Sequence, residues 1–372
     1  MKLAIVTNTV HYEYNDKYYT HGPYIREINI WENFSNSLII VAPTKKSAPP
    51  ALDLPYKSDK INIISLNSFN LLGFKNIIKT IFLMPLFFLK IYQAFSKAEH
   101  IHLRCPCNFG LIGSVVQIFF PKKNKTAKYA GNWDWNSNQP WSYRLQQRIL
   151  RNTMITKNMT VLVYGDWPDK TKNTKSFFTA SYSEKDRMVI PKRMIKPTIH
   201  LLFAGNLSKG KNPIIALHVL NKLIKQGHDA RLVFCGEGNE LYNLKTYIKN
   251  NNLEKNVEIL GSIDPECMKK EYQRAHFLIF ASNSEGWPKV VAEAMWWGCI
   301  PITTKVSCIP EMLGYGQRGI LVNPNSDEIA ERILDLKNRP LKMDQLRNDA
   351  ITWSWEFTLE KFENQIKGLL RV

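Results

Sequence analysis

The sequence predicts an α/β protein built from two doubly wound domains, and three observations carry that prediction. The chain has 372 residues, more than one domain usually holds, with 44% apolar side chains to fill two cores. Short β-rich runs alternate with helix-length segments, the pattern of a parallel sheet covered on both faces. The alternation runs twice, separated by a segment at 188–197 that holds two prolines and three basic residues and reads as a linker.

In the first half, strands are expected at 2–7, 38–42, 61–65, 100–104, 127–130 and 161–164, and helices at 24–33, 74–97, 110–119 and 142–152. In the second half, strands are expected at 199–204, 230–235, 257–260, 277–281, 300–303 and 320–322. Helices are expected there at 213–225, 240–250, 265–274, 288–297 and 327–336. The domains are therefore 1–190 and 191–352. A last helix, within 353–372, begins beside Trp353 and Trp355 and is expected to pack back on the first domain. Open sheets of this kind bind ligands beyond the carboxyl ends of their strands, and two of them facing each other leave a central cleft.

The formal charge is +18, and most of it lies early: residues 1–190 hold 25 Lys and Arg against 12 Asp and Glu. Solubility alone, a phosphate-bearing acceptor and an anionic membrane all fit such an excess. Nucleic acid is not expected as a partner, because no zinc-finger spacing, RNA-recognition signature or basic heptad region is present. Cys105-Pro106-Cys107 is too short for a zinc half-site, and no metal is expected. The six cysteines read as reduced, buried thiols of a cytoplasmic protein. The amino terminus turns polar at Thr7, too early for a signal peptide, and reads as a first strand. The apolar stretch 77–92 is broken by Lys79, Pro85 and Lys90, so it reads as a buried helix or one lying in a membrane interface, not one that spans.

Small residues cluster where the strands of the second half end: Gly205-Asn206-Leu207-Ser208-Lys209-Gly210-Lys211, then Gly236-Glu237-Gly238, then Gly261-Ser262-Ile263, then Ser282-Asn283-Ser284-Glu285-Gly286-Trp287-Pro288. Glycine lets backbone N–H groups approach a ligand, and four such loops on one sheet edge point to a nucleotide. The fourth loop runs into a helix opened by Pro288, with Gly298 as its C-terminal cap. A helix amino end suits a diphosphate. Glu285 and Glu293 would flank it as hydroxyl acceptors, or else stand as an ordinary loop charge and a solvated helix residue. Lys211 is the best candidate for the neutralising cation.

Glu285-Gly286-Trp287-Pro288, then Glu293-Ala294-Met295, Gly298 and Pro301, resemble the E-x7-E signature of family-4 glycosyltransferases of GT-B fold, the glycosyl transferases group 1. Gly205-Asn206-Leu207 with Lys211-Asn212-Pro213, and Gly236-Glu237-Gly238, resemble that family's other donor loops. The resemblance covers residues 199–323 well and residues 1–190 loosely, where Gly131-Asn132-Trp133-Asp134 and Tyr164-Gly165-Asp166-Trp167 look like bacterial members that build surface polysaccharides. It implies a GT-B fold of two Rossmann-like domains. It also implies a retaining, metal-independent transfer from a UDP-sugar or GDP-sugar to a saccharide or lipid-linked saccharide. Lys211 would then neutralise the diphosphate, and Glu285 would contact the sugar. Gly286, Trp287, Pro288, Lys289 and Val290 would line the phosphates, chiefly through backbone N–H groups. Glu293 would hold the ribose, and Ile263 would meet the base. Two departures stand out. Asn206 replaces the family's usual Arg, so Arg104 or another residue of the first domain would supply the missing cation, and Pro288 replaces a Gly, leaving Lys289 and Val290 to donate.

On the acceptor side, His21-Gly22 opens a helix and faces the phosphates, or is a plain helix start. His102 and Arg104 end a strand; His102 is a catalytic candidate or a core histidine. Trp133, Asp134 and Trp135 would stack on an acceptor sugar, or else pack in the core. Other classes stay open: a sugar-nucleotide epimerase or hydrolase on the same fold, a non-catalytic nucleotide-sugar-binding protein, and a dinucleotide oxidoreductase. The last is disfavoured because Gly-x-Gly-x-x-Gly spacing is absent.

Overall fold

The structure, a computed structural model, describes residues 1–58, 60–68, 74–195 and 197–370, with backbone alone at 74–79 and 81. Parts of the expected linker (residue 196), of the apolar stretch (77–79 and 81) and of the last helix (371–372) lie outside the described residues or side chains. The chain divides into two compact units, Met1–Phe177 with Phe362–Val372, and Phe178–Lys361. The crossover thus falls after Phe177, not at residue 190, and the return falls at Phe362, not at 353. The proline-rich segment belongs to the second unit, where Arg193 donates to the carbonyls of Tyr272, Gln273, Ala275 and Trp297.

The first unit contains β1 (Lys2–Val6), β2 (His11–Tyr14), β3 (Lys17–His21), α1 (Gly22–Glu32), β4 (Ser37–Lys46), β5 (Asp53–Pro55), β6 (Ile61–Leu66), α2 (Phe74–Lys97), β7 (His100–Cys105), α3 (Asn108–Val116), β8 (Asn124–Tyr129), α4 (Trp141–Arg151), β9 (Met159–Tyr164) and β10 (Thr174–Phe177). Its parallel strands run in the order β6-β4-β1-β7-β8-β9-β10. Strand β1 reverses that order: the chain steps outward to β4 and β6, then returns to β7 on its other side. Leu3, Ala4, Ile5 and Val6 are all fully buried, as a strand covered on both faces requires.

The hairpin β2–β3 was not expected from the sequence. Asn15 and Asp16 form its turn, both in the left-handed region at φ 49° and 57°. Tyrosines on either side supply the β-formers, so a two-residue Asn-Asp hairpin was legible in His11-Tyr12-Glu13-Tyr14-Asn15-Asp16-Lys17-Tyr18-Tyr19. Strand β4 is long enough to pair β1 and β6 through its first half and β2 through Thr44–Lys46.

The second unit repeats the plan with β11 (Ile199–Ala204), α5 (Pro213–Lys225), β12 (Ala230–Cys235), α6 (Leu241–Asn250), β13 (Val257–Gly261), α7 (Pro265–Arg274), β14 (Phe277–Phe280), α8 (Lys289–Trp296), β15 (Ile300–Thr304), α9 (Ile309–Met312), β16 (Ile320–Val322), α10 (Ser326–Lys337), α11 (Pro340–Ser354) and α12 (Leu359–Leu370). All six strands are parallel, in the order β13-β12-β11-β14-β15-β16. Helix starts follow local chemistry: the Asp264 carboxylate accepts from the N–H groups of Glu266 and Cys267, and Asn325 does the same for Asp327 and Glu328. Helix α11 was missed because its buried face, Met343, Leu346, Ala350 and Ile351, is interrupted by Arg347, whose guanidinium donates to the Pro191 carbonyl.

Candidate active site

In an open doubly wound sheet the crevice lies where strand order reverses. In the second unit that place is between β11 and β14, neighbours in space whose connections leave in opposite directions. The loops after these two strands, residues 205–212 and 281–288, meet there and bind each other. The Asn283 N–H donates to the Gly210 carbonyl at 2.9 Å. Asn212 donates through Nδ2 to the Ala281 carbonyl at 2.9 Å and to Asn283 Oδ1 at 2.7 Å. Lys211 Nζ forms an ion pair with Glu285 Oε1, and the ammonium also lies over the Phe280 ring, 5.1 Å from its centroid. Glu285 is only 9% exposed while Lys211 keeps 27%. A carboxylate so buried requires a cationic or hydrogen-bonding partner, and Lys211 supplies it.

Beside this pair, α8 opens at Lys289 and Val290 behind Pro288. Among the described residues no side chain caps that end, and the positive end of the helix dipole there suits an anion. Gly298, at φ 70°, closes the helix as expected.

The glycines divide by role. Gly236 and Gly238 hold φ of 146° and 156°, and a Cβ on them would lie 1.9 Å from the Gly205 carbonyl and 2.3 Å from that of Leu207. Their missing side chains let the neighbouring loop pack backbone to backbone, tied by Leu207 N–H donating to the Glu237 carbonyl at 2.8 Å. The space at these two positions is filled by protein, a correction to the view that all these glycines serve ligand approach. Gly205 differs: at φ 131°, a Cβ there would meet nothing within 4 Å. Asn206, next to it, is exposed.

Glu293 is half-buried and accepts from Ser181 Oγ at 2.5 Å and from the Tyr272 hydroxyl at 3.0 Å. It is no solvated helix residue. Burial, with the Glu293 charge next, raises the Tyr272 phenol well above its usual range, so Tyr272 stays a donor. Trp287 turns into an aromatic cluster, 5.4 Å from Phe357 and 6.2 Å from Trp353, with Arg318 over Trp353 at 4.9 Å. The tryptophan thus anchors the loop that carries Glu285. Glu237 Oε1 accepts from Ser262 N–H at 3.4 Å, and half-buried Ile263 follows in the same loop.

In the first unit two of the candidates, His102 and Trp133, take the structural alternative. His102 is fully buried: its Nδ1 lies 2.9 Å from Thr126 Oγ1, and its ring packs 4.2 Å from that of Trp31. Burial, then Arg104, pushes its pKa well below the usual histidine value. It is a neutral core residue, because α1 covers the strand face from which it projects, and it is not a catalytic group. Trp133 is likewise fully buried against Tyr129, with Arg151 stacked on it at 4.8 Å. Asp134 caps its own turn by accepting from Asn136 N–H at 2.9 Å, and of this trio Trp135 is the exposed ring.

Arg104 is also engaged otherwise than expected, paired with buried Glu27 and lying over Tyr24 at 5.3 Å. Lys128 holds the other Glu27 oxygen at 2.8 Å and is ringed by Tyr164, Phe177 and Phe362 at 5.3–5.7 Å. Sequence reasoning missed Glu27 and Lys128; a lysine inside the strand run Thr126-Ala127-Lys128-Tyr129 was the available signal. His21 ends β3, not β1, and stands exposed at the start of α1. Gly22 is buried, and a Cβ there would lie 2.8 Å from the Leu52 carbonyl.

Solved structures that match the whole chain include sucrose-phosphate synthase from Thermosynechococcus elongatus (TM-score 0.69, 16% identity, 98% of that chain) and Anabaena Alr3699/HepE in complex with UDP and glucose (TM-score 0.71, 14% identity, 99% of that chain). The fold is therefore GT-B. The model of the family described as glycosyl transferases group 1 matches residues 186–353. Among curated relatives, Bacillus subtilis spore coat protein SA is 30% identical over 158 residues, 39% of this chain and 41% of that protein. The GPI3 subunit of Saccharomyces cerevisiae phosphatidylinositol N-acetylglucosaminyltransferase is 23% identical over 122 residues, 33% of this chain and 27% of that protein. The chain thus spans between about a quarter and a half of the curated relatives it matches.

Proposed function

We propose that this chain is a glycosyltransferase that takes a sugar from a nucleotide-diphosphate donor seated at the β11–β14 crevice. The Lys211–Glu285 ion pair beside the uncapped start of α8 carries the reading. A lysine paired with a carboxylate can exchange that partner for a diphosphate, with the amino end of α8 completing the anion site. Glu285, released from Lys211, then accepts from hydroxyls of the transferred sugar. Glu293, oriented by Ser181 and Tyr272, is positioned to accept from the ribose, and the backbone near Ile263 meets the base. Gly205 keeps open the room that a side chain there would take. Charge developing on the leaving diphosphate is stabilised by groups already in place, which is where such sites draw most of their rate.

HepE, a neighbour in fold, was solved with UDP and glucose; this supports a UDP-sugar donor, with a GDP-sugar the alternative. The finer parts of the reading are retention of anomeric configuration, no requirement for metal, and a saccharide or lipid-linked saccharide acceptor of a surface polysaccharide. A peripheral seat on the inner face of an anionic membrane belongs with them. A thermal-shift screen of nucleotide sugars tests the core of it. The right donor at about 100 times its Kd adds close to 2.7 kcal/mol of stability, and Lys211→Ala removes that shift. Donor-dependent shifts that survive Lys211→Ala and Glu285→Ala together would place the nucleotide elsewhere.

A further inference from the structure

Helix α2 has two apolar faces. From Phe82 to Leu89 it reads Phe-Leu-Met-Pro-Leu-Phe-Phe-Leu, without a polar side chain. One face goes to the core of the first unit: Phe87, Ile91, Ala94 and Phe95 are fully or almost fully buried. The opposite face carries Phe82, Leu86 and Leu89, spaced by four and three residues, and these are 80%, 44% and 56% exposed. Tyr92 and Phe119 widen it, their rings 6.4 Å apart, with Phe119 60% exposed. A surface helix normally turns polar residues outward, and one that is apolar all round belongs in a protein interior or against lipid. Contiguous apolar patches of this kind mark interaction sites.

Charge selects the occupant. The patch lies on the unit with the larger positive excess. Lys97 ends the same helix, and Lys122 and Lys123 follow Phe119 closely. Lys97 and Lys122 are exposed. Lys123 is turned inward and donates to the carbonyls of Phe95, Ser96 and Ala98 at 2.5–2.8 Å, fixing the helix end against this corner. Among the described residues no helix is long and apolar enough to cross a membrane. An apolar face at the level of acyl chains, with lysines at the level of headgroups, fits an anionic bilayer surface.

We propose that the outward face of α2, centred on Phe82, Leu86 and Leu89, is the surface by which this protein lies on an anionic lipid bilayer. The proposal deepens the membrane part of the reading above and does not depend on its donor part. The test is co-sedimentation of the full chain with vesicles of phosphatidylcholine alone or with one third phosphatidylglycerol, at low and high salt. The wild type should bind the anionic vesicles and lose part of that binding in high salt. F82S/L89S should need at least tenfold more lipid for half-binding, and K97E/K122E should lose the preference for phosphatidylglycerol. All three proteins should keep the same melting temperature and the same donor-induced thermal shift, so loss of lipid binding cannot be confused with loss of the donor site. Equal lipid binding by wild type and F82S/L89S would overturn the proposal. So would a lipid-indifferent wild type that runs as a dimer which F82S/L89S converts to monomer.

Discussion

The two units share a strand order but keep their charges in different places. In the second unit the ion pair Lys211–Glu285 joins two loops at the strand ends, with the lysine still 27% exposed. In the first unit Glu27, Lys128 and Arg104 meet beneath α1, with Lys128 only 1% exposed. A buried charge that loses its partner is stranded in a poor dielectric, whereas one at a crevice can change partners. The comparison separates a pair that holds the fold from a pair poised for a ligand. It also assigns the buried charges of the first unit to its architecture.

The largest expected effect tests the architectural side. Glu27→Ala should destabilise the protein by about 3–5 kcal/mol, since it leaves Lys128 and Arg104 without their shared carboxylate. Urea unfolding measures this, and a loss under about 1 kcal/mol would mean that water reaches the cluster. On the ligand side, Lys211→Ala should lower transfer about 100- to 1,000-fold, as loss of one preorganised charge contact does, with circular dichroism unchanged. Transfer within threefold of wild type would remove Lys211 from the chemistry.

The glycines sharpen the contrast inside the second unit. Gly236→Ala drives a methyl onto the Gly205 carbonyl, 1.9 Å away, and should cost about 3 kcal/mol or more. Gly205→Ala strains a φ of 131° but meets nothing within 4 Å, so about 1–2 kcal/mol is expected. Its main effect should be on donor affinity. Melting curves with and without donor separate the two, and equal destabilisation by both would show that the open space at Gly205 closes in solution.

The second unit was more legible in sequence than the first for a physical reason. Parallel strands buried on both faces read as unbroken apolar runs, as in Phe277-Leu278-Ile279-Phe280, and glycine loops bracket them. Loop residues such as Lys211 and Glu285 then fall at strand ends by arithmetic. What sequence could not convey is which helix covers a strand face. His100, His102 and Arg104 alternate along β7 and look like the lining of a site, until α1 lays Trp31 over His102. Trp133 follows a strand end just as Gly205 does, yet its ring goes inward against Tyr129. The division at Phe177 was also illegible, because the proline-rich segment marks a surface crossing of the second unit.

The last effect is a shared one, and it shows how each unit guards a neutral histidine. Burial lowers the pKa of His11 in the first unit, and of His276 in the second, to about 4. His11 Nδ1 faces the Thr9 carbonyl at 2.9 Å, which can only accept, so Nδ1 carries the proton and Nε2 accepts from the Tyr56 hydroxyl at 2.7 Å. His276 Nδ1 accepts from the His200 N–H at 3.0 Å. Both arrangements need the neutral ring. The unfolded chain binds the proton near pH 6.5 and the folded chain does not until about 4, so each histidine's contribution is complete above pH 6.5 and is lost as pH falls toward 4. The loss is about 1.4 kcal/mol per pH unit for each ring. Urea unfolding at pH 7.5, 6 and 5 should show it, and His11→Gln or His276→Gln should each remove about half of the slope these two rings produce. A slope unchanged in both variants would assign the acid sensitivity to other groups and leave the two units no different in this respect from solvent-exposed chain.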